Sequence, residues 1–165
     1  DWGIYHNGVL TPSDARYHYM QINNQNTYAG DGTYWNDTAP TTSVFTVGTN
    51  ADVNTSGATY VAYVFTDIEG YSKFGKYTGN GTDFDGAFSY TGFKPSFLLV
   101  KNVTNTGEWG MFDNKRNTFN VVNARVSADS DAAEYSGDAN RNFDFLNTLN
   151  GDSGFLTVQQ STAGG

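Results

Sequence analysis

The segment NTSGATYVAYVFTD, residues 54–67, decides how the chain is expected to fold. A turn of small residues runs directly into aromatic and β-branched residues with no polar break. Such residues fit a pleated strand. A strand apolar on both faces belongs in the middle of a covered sheet. SFLLVK, residues 96–101, has the same character. Alternation along a strand then predicts that Val61, Tyr63 and Phe65 share one face of a central strand, and that Phe97 and Leu99 share a face of another.

Working outward, short apolar runs recur, bounded by Gly, Asn and Asp. Strands are expected at Trp2–His6, Arg16–Ile22, Ser43–Gly48, Thr59–Asp67, Tyr71–Thr78, Ala87–Tyr90, Ser96–Asn102, Glu108–Asp113, Thr118–Ala124 and Gly154–Gln159. One helical turn is expected around DSDAAEY, residues 129–135, capped by Ser130 or Asp131. Aromatic residues make up 16% of the 165 positions and charged residues only 16%, which excludes a disordered chain. The expected class is all-β: a jelly-roll-like β-sandwich closing as one domain over residues 1–165.

The turn in the opening segment has an echo. NTSGA (54–58) matches STAGG (161–165), and DWGIYH (1–6) matches EWGMFD (108–113) at the same separation along the chain. SVFTVG also resembles GFLTVQ. Residues 1–58 therefore read as a weak copy of 108–165, giving one and a half tandem repeats. The expectation is a fragment of a longer tandem protein. The second copy stops where the first enters Thr59–Phe65. A closing strand is thus expected either in cis, from Thr59–Phe65 serving both copies, or in trans.

The formal net charge of -8 disfavours nucleic acid, since a duplex-binding surface needs many phosphate-neutralising cations. With no cysteine there is no disulfide, thiolate zinc site or cysteine nucleophile. No apolar run reaches the ~20 residues of a spanning helix, so no membrane partner is expected.

The stretch from YVFTDIEGYSKFGKYTGNG through YTGFKPSFLLVKN to WGMFDNKRN, with the preceding SGATYVAYVF, resembles a repeat common in marine bacteriophage and marine metagenome proteins of the concanavalin A-like lectin/glucanase type. The resemblance covers residues 30–125 best. It implies a two-sheet jelly roll, a place in phage tail-fibre, appendage or capsid-decoration proteins, and localisation on the virion, outside the cell. The partners it implies are other virion proteins or copies of the chain itself, with a host-surface glycan as a further target. It carries over no catalytic residues.

Chemistry read from the residues points the same way. A glucanase on this scaffold needs two carboxylates flanking the scissile bond. The nearest pair is Asp67 and Glu69, at strand spacing but ended by Gly70. His6 and His18 are the only imidazoles, too few for a three-His metal site. No G-x-S-x-G nucleophile elbow occurs. In NGTDFDG (80–86), Asp83 and Asp85 are candidate calcium ligands, with SADSDAAE (127–134) as a second oxygen-rich cluster. In DGTYWND, Tyr34 and Trp35 are the candidate stacking rings for a sugar, with Asn36 and Asp37 to bond its hydroxyls. Glycosylation sequons stand at Asn36, Asn54, Asn80 and Asn102. No cofactor and no enzymatic activity are expected. The leading expectation is a structural virion protein. The alternatives are a carbohydrate-binding module and a glycoside hydrolase or lyase.

Overall fold

A computed structural model describes residues 1–9, 12–80, 87–118, 120–136, 142–147 and 154–159. The described secondary structure is all-β with two single-turn helices. The elements are β1 (Gly3–Ile4), α1 (Pro12–Ala15), β2 (His18–Gln21), β3 (Ala29–Gly30), α2 (Ala51–Asn54), β4 (Phe88–Tyr90), β5 (Phe97–Val100), β6 (Gly110–Asp113), β7 (Val126–Ser127), β8 (Asn142–Asn147) and β9 (Gly154–Gln159). They form three antiparallel three-stranded sheets, ordered β1-β2-β3, β4-β9-β8 and β5-β6-β7. The chain divides into two compact units. The first comprises residues 1–65, 101–109 and 128–130, and the second comprises 66–100, 110–127 and 131–165.

The first unit holds the sheet β1-β2-β3. Gly3 lies opposite Gln21, and His18 opposite Gly30. Its buried apolar residues are Ala15, Met20, Tyr34, Trp35 and Trp109. Two of them are tied to β2 through their ring nitrogens. Trp35 Nε1 donates to the His18 carbonyl at 2.9 Å, and Trp109 Nε1 donates to the Gln21 carbonyl at 2.9 Å. A buried indole needs such an acceptor, so β2 anchors both tryptophans while their rings fill the core. Asn50 caps α2, its side chain accepting the Asp52 N–H at 2.9 Å. Gly48 is packed main chain to main chain. Its N–H donates to the Tyr34 carbonyl at 2.8 Å, and a methyl group there would overlap the Thr33 carbonyl oxygen.

The second unit holds β5-β6-β7 and β4-β9-β8. A bridge ties the segment ahead of β7 to β8: Val122 and Phe143 exchange both main-chain bonds, at 2.8 and 3.0 Å. Its core is Phe112, Val122 and Phe143, with Leu98 and Val100 packed against them. The Phe112 and Phe143 rings meet edge to face at 4.6 Å. On β5, Leu98 and Val100 are the inward residues, and Phe97 and Leu99 point out. Phe97 and Leu99 do share a face, but it is the outer one, and β5 is an edge strand rather than the expected central one. Leu98 pairs with buried Phe112 and Val100 with Gly110. A Cβ on Gly110 would crowd the Phe112 ring at 2.9 Å, so the missing side chain admits that ring. Phe97 instead lies across from Asp113.

Other expected strands are not formed. Ser43–Gly48 is a turn in which the Thr41 hydroxyl accepts the Val44 N–H and Gly48 seats against Thr33. Tyr71–Thr78 carries only the bridge Ile68–Ser72, closed by Gly70 at positive φ. In Thr118–Ala124 the Asn117 side-chain Oδ1 accepts the N–H groups of Asn123 and Ala124. Thr59–Asp67 has no strand at all, and Val61, Tyr63 and Phe65 are 68%, 70% and 73% exposed rather than central. The turn expected at Ser130 or Asp131 is not helical. Arg125 pairs with Tyr135 across it, and Asp129 accepts the Trp109 N–H at 3.0 Å. Conversely, β8 was not expected, and β3 and β7 are two-residue strands outside the expected runs.

Two outcomes follow in chemical denaturation. Phe112→Ala lowers stability by about 3–5 kcal/mol, the usual cost of emptying a buried phenylalanine site, whereas Val61→Ala changes it by under about 0.5 kcal/mol, as at a solvent-facing site. Gly48→Ala destabilises by at least about 1–3 kcal/mol, because main chain rather than a movable side chain occupies the space.

Candidate functional site

Tyr34 is fully buried, and its surroundings form the best-organised polar site among the described residues. It follows a tight turn made by Asp31, whose Oδ1 accepts both the N–H and the hydroxyl of Thr33, at 2.8 and 2.6 Å. Asn50 Nδ2 donates to the other oxygen of Asp31 at 3.0 Å, joining that turn to the cap of α2. The same helix presents Asp52. The Tyr34 hydroxyl donates to Asp52 Oδ2 at 2.7 Å, and Gln21 Nε2 donates to that oxygen at 3.1 Å. Gln21 also reaches Asp1 at 3.0 Å and accepts from Asn24, while Asn23 donates to Asp1 at 2.9 Å. The ring stacks on Tyr19 with centroids 3.9 Å apart, nearly parallel, and tilts against Trp35.

Burial first, and then the hydrogen bond to Asp52, push the Tyr34 hydroxyl well above the usual tyrosine pKa. The bonds from Thr33 hold Asp31 below the usual carboxylate range, and the bonds from Arg116 do the same for Asp113. A neutral tyrosine held on a carboxylate is a packed support. The described surroundings show no cleft aimed at it.

The two rings proposed from sequence as sugar platforms are thus interior groups. Their polar atoms are committed to Asp52 and to the His18 carbonyl. Asn36 and Asp37 are exposed, at φ of 54° and 46°, a left-handed turn that Asn and Asp tolerate. Asp37 pairs with Arg16 at 2.9 Å. The four adjacent residues therefore divide into two buried rings and two surface turn residues, and do not converge on one ligand position. Asp83 and Asp85 lie outside the described residues.

Asp67 and Glu69 do not share a strand face. Asp67 accepts the Phe74 N–H at 2.8 Å and pairs with Lys73 at 2.5 Å, so it closes the turn around Gly70. Glu134, from the second acidic cluster, contacts Arg116 at 3.4 Å, and Arg116 also holds Asp113 at 2.6 Å. Among the described residues no three His, Cys, Asp or Glu gather as a metal site. His6 and His18 do line one shallow hollow, with Ile4, Ala15, Met20 and Tyr28, but it has room for about one water molecule. His18 Nδ1 lies 2.7 Å from the Asp14 carbonyl and His6 Nδ1 accepts the Gly8 N–H.

The model of a family described as a domain of unknown function (DUF7483) matches residues 1–158. The chain belongs to that family. No curated protein and no solved structure matches it.

One run of this DUF7483 chain presents apolar side chains to solvent. Tyr60, Val61, Tyr63, Val64 and Phe65 are all exposed. One end of the run is pinned: the Tyr60 hydroxyl accepts the Thr55 N–H and donates to the Ala51 carbonyl, each at 2.9 Å. Midway, Tyr63 stacks on the exposed ring of Trp2, centroids 6.2 Å apart. From Thr59 to Val64 the main chain makes no hydrogen bond among the described residues. Sequence reasoning located this run but assigned it to the interior. It missed Gln21 and Asp52, whose only signal was the cap pattern of Asn50 followed two residues later by an acid.

The Tyr34 site has a pH signature. Its raised pKa contributes stability that is intact below the ordinary tyrosine value of ~10 and is lost as pH rises through the folded value. In an alkaline titration followed at 295 nm, part of the tyrosinate signal appears only with unfolding, and Tyr34→Phe removes that part. On the acid side the signs reverse. The lowered Asp31 and Asp113 contribute stability above their unfolded pKa of ~3.9, lost as pH falls through the folded values. Asp113→Asn therefore flattens the fall of melting temperature below about pH 4.

Proposed function

We propose that the chain is a non-enzymatic structural module of a bacteriophage virion surface, belonging to a tail fibre, an appendage or a capsid decoration. The observation that carries this reading is the exposed apolar run Tyr60–Phe65. Soluble monomers rarely leave a contiguous apolar patch of more than a few hundred Å² in water. Such a patch in a chain whose best-ordered polar groups are spent on internal bonds fits assembly better than turnover. The sequence resemblance to phage repeats supports the same reading, and with it a concanavalin A-like jelly roll.

The tandem-repeat part of the proposal has its own support. In each copy the glycine after the tryptophan opens a strand, Gly3 in β1 and Gly110 in β6. In each, an aromatic ring occupies the place of the missing Cβ, Tyr34 at 2.5 Å from Gly3 and Phe112 at 2.9 Å from Gly110. The ring at Gly110 belongs to the Trp-Gly-aromatic run itself, whereas the ring at Gly3 comes from outside it, and Trp2 is exposed where Trp109 is buried. What the two copies share is a glycine whose missing side chain admits a ring.

A second reading, carbohydrate binding, is favoured by one observation: the stacked, exposed pair Trp2 and Tyr63. An apolar sugar face stacks on such rings, and these, unlike Tyr34 and Trp35, are open to it.

Peptide mass spectrometry of gradient-purified particles from a phage encoding the chain tests the first reading. Its peptides are expected to band with infectious particles and to survive a high-salt wash. Peptides found only in the soluble lysate, with particles complete without them, contradict it. Saturable binding on a glycan array that Trp2→Ala abolishes would move the conclusion to the second reading.

A further inference from the structure

We infer that Thr59–Phe65 is a self-pairing strand, and that its partner is the same segment of a second copy, antiparallel about a two-fold axis through Ala62. This rests on the assembly reading above and names the partner at that surface.

Three features carry it. First, the segment is strand-competent by composition, and its main chain from Thr59 to Val64 makes no hydrogen bond among the described residues. An unpaired edge of this kind invites another strand. Second, the sequence is complementary to itself. Centred on Ala62, antiparallel pairing sets Thr59 opposite Phe65, Tyr60 opposite Val64 and Val61 opposite Tyr63. Every pair away from the axis joins an aromatic to a β-branched residue, among the favourable cross-strand combinations. The smallest side chain stands at the axis, where a residue must face its own copy. Moving the centre by one residue loses that match. Third, no charged side chain lies between Asp52 and Asp67. Two copies of a chain of net charge -8 can therefore meet here without placing like charges opposite each other.

With ~150–250 Å² for a whole aromatic side chain, the exposed fractions of Tyr60, Val61, Tyr63, Val64 and Phe65 amount to roughly 600 Å² per copy. Edge-to-edge pairing covers the main-chain edge and the flanks of these side chains and leaves their outer faces open. The buried area therefore stays below the ~800 Å² per partner of a standard interface, and a dimer of modest affinity is expected. Closed two-fold dimers are also the commonest assembly of a single chain. A different apolar protein would not need the segment to match its own reverse.

The chain has no cysteine, so a single introduced thiol reports the register. Ala62 is exposed, and its variants should keep the wild-type circular dichroism and, at concentrations where the wild type is monomeric, its melting temperature. Facing residues of antiparallel strands have Cα atoms ~4.5–5.5 Å apart, within the ~4.4–6.8 Å that a disulfide spans. Ala62→Cys is therefore expected to crosslink to its own copy under mild oxidation, and Tyr60→Cys much more slowly. In sedimentation equilibrium the wild-type chain is expected to dimerise. Ala62→Asp and Ala62→Lys should each raise the dissociation constant by at least roughly tenfold. An equimolar mixture of the two should restore the dimer. A dimer that persists in Ala62→Asp and does not crosslink at Ala62→Cys overturns the proposal and places the contact elsewhere, with the assembly reading intact. A monomer at all concentrations overturns the pairing as well. The assembly reading itself then stands or falls on the particle experiment, which does not depend on self-association.

Discussion

The buried phenol of Tyr34 is the constraint on which the first unit depends. Its ring leaves no space for a side chain at Gly3, so β1 must begin with a glycine. It stacks on Tyr19 of β2 and leans on Trp35. Its carbonyl takes the Gly48 N–H, and Asn50 donates to the neighbouring Thr33 carbonyl. Its hydroxyl, buried, donates to Asp52 on α2 and takes a longer contact from Gln21 Nε2 at 3.4 Å. A single side chain thus connects a strand start, a strand middle, a tight turn and a helix cap. Removing any of those partners leaves either a void or an unsatisfied buried polar atom, and the second commonly costs as much as the first.

The second unit is built on a plainer rule. Phe112, Val122 and Phe143 meet where the Val122 segment pairs with β8, and the space for the Phe112 ring is the side chain that Gly110 lacks. Polar groups there serve turns. Asp113 gathers the N–H groups of Lys115 and Arg116 and the Arg116 guanidinium. Among the described residues, Asp67, Asp129 and Glu134 are spent on separate local tasks, and the apolar surface of the first unit becomes the feature that a function must explain.

Much of the strand layout was legible because alternation and turn residues report locally. β1, β2, β4, β5, β6 and β9 all fall inside runs picked out by that signal. β3 and β7, two residues each, are too short to show a period. β8, NFDFLN, did alternate, with phenylalanines at 143 and 145. Its Asn and Asp residues are poor strand formers and masked the pattern. The face of β5 was not legible, since a run that is apolar on both sides carries no information on which side is inward. The same ambiguity misplaced Thr59–Phe65: a segment fit for the centre of a sheet is equally fit for an interface. For Tyr34 and Trp35 the residue types were informative and the context was not. An aromatic beside Asn and Asp is compatible with a sugar site, but also with a buried anchor followed by a left-handed turn. Only the long-range partners, Gln21 and Asp52, separate the two.

The central claim is that Tyr34 and Asp52 act as one unit holding the first unit together. A double-mutant cycle with Tyr34→Phe and Asp52→Ala, read by urea denaturation, tests it most directly. The account predicts a coupling energy of about 1–3 kcal/mol, the range for a hydrogen bond to a charged acceptor. Additive single effects, with coupling within about 0.3 kcal/mol of zero, would contradict it.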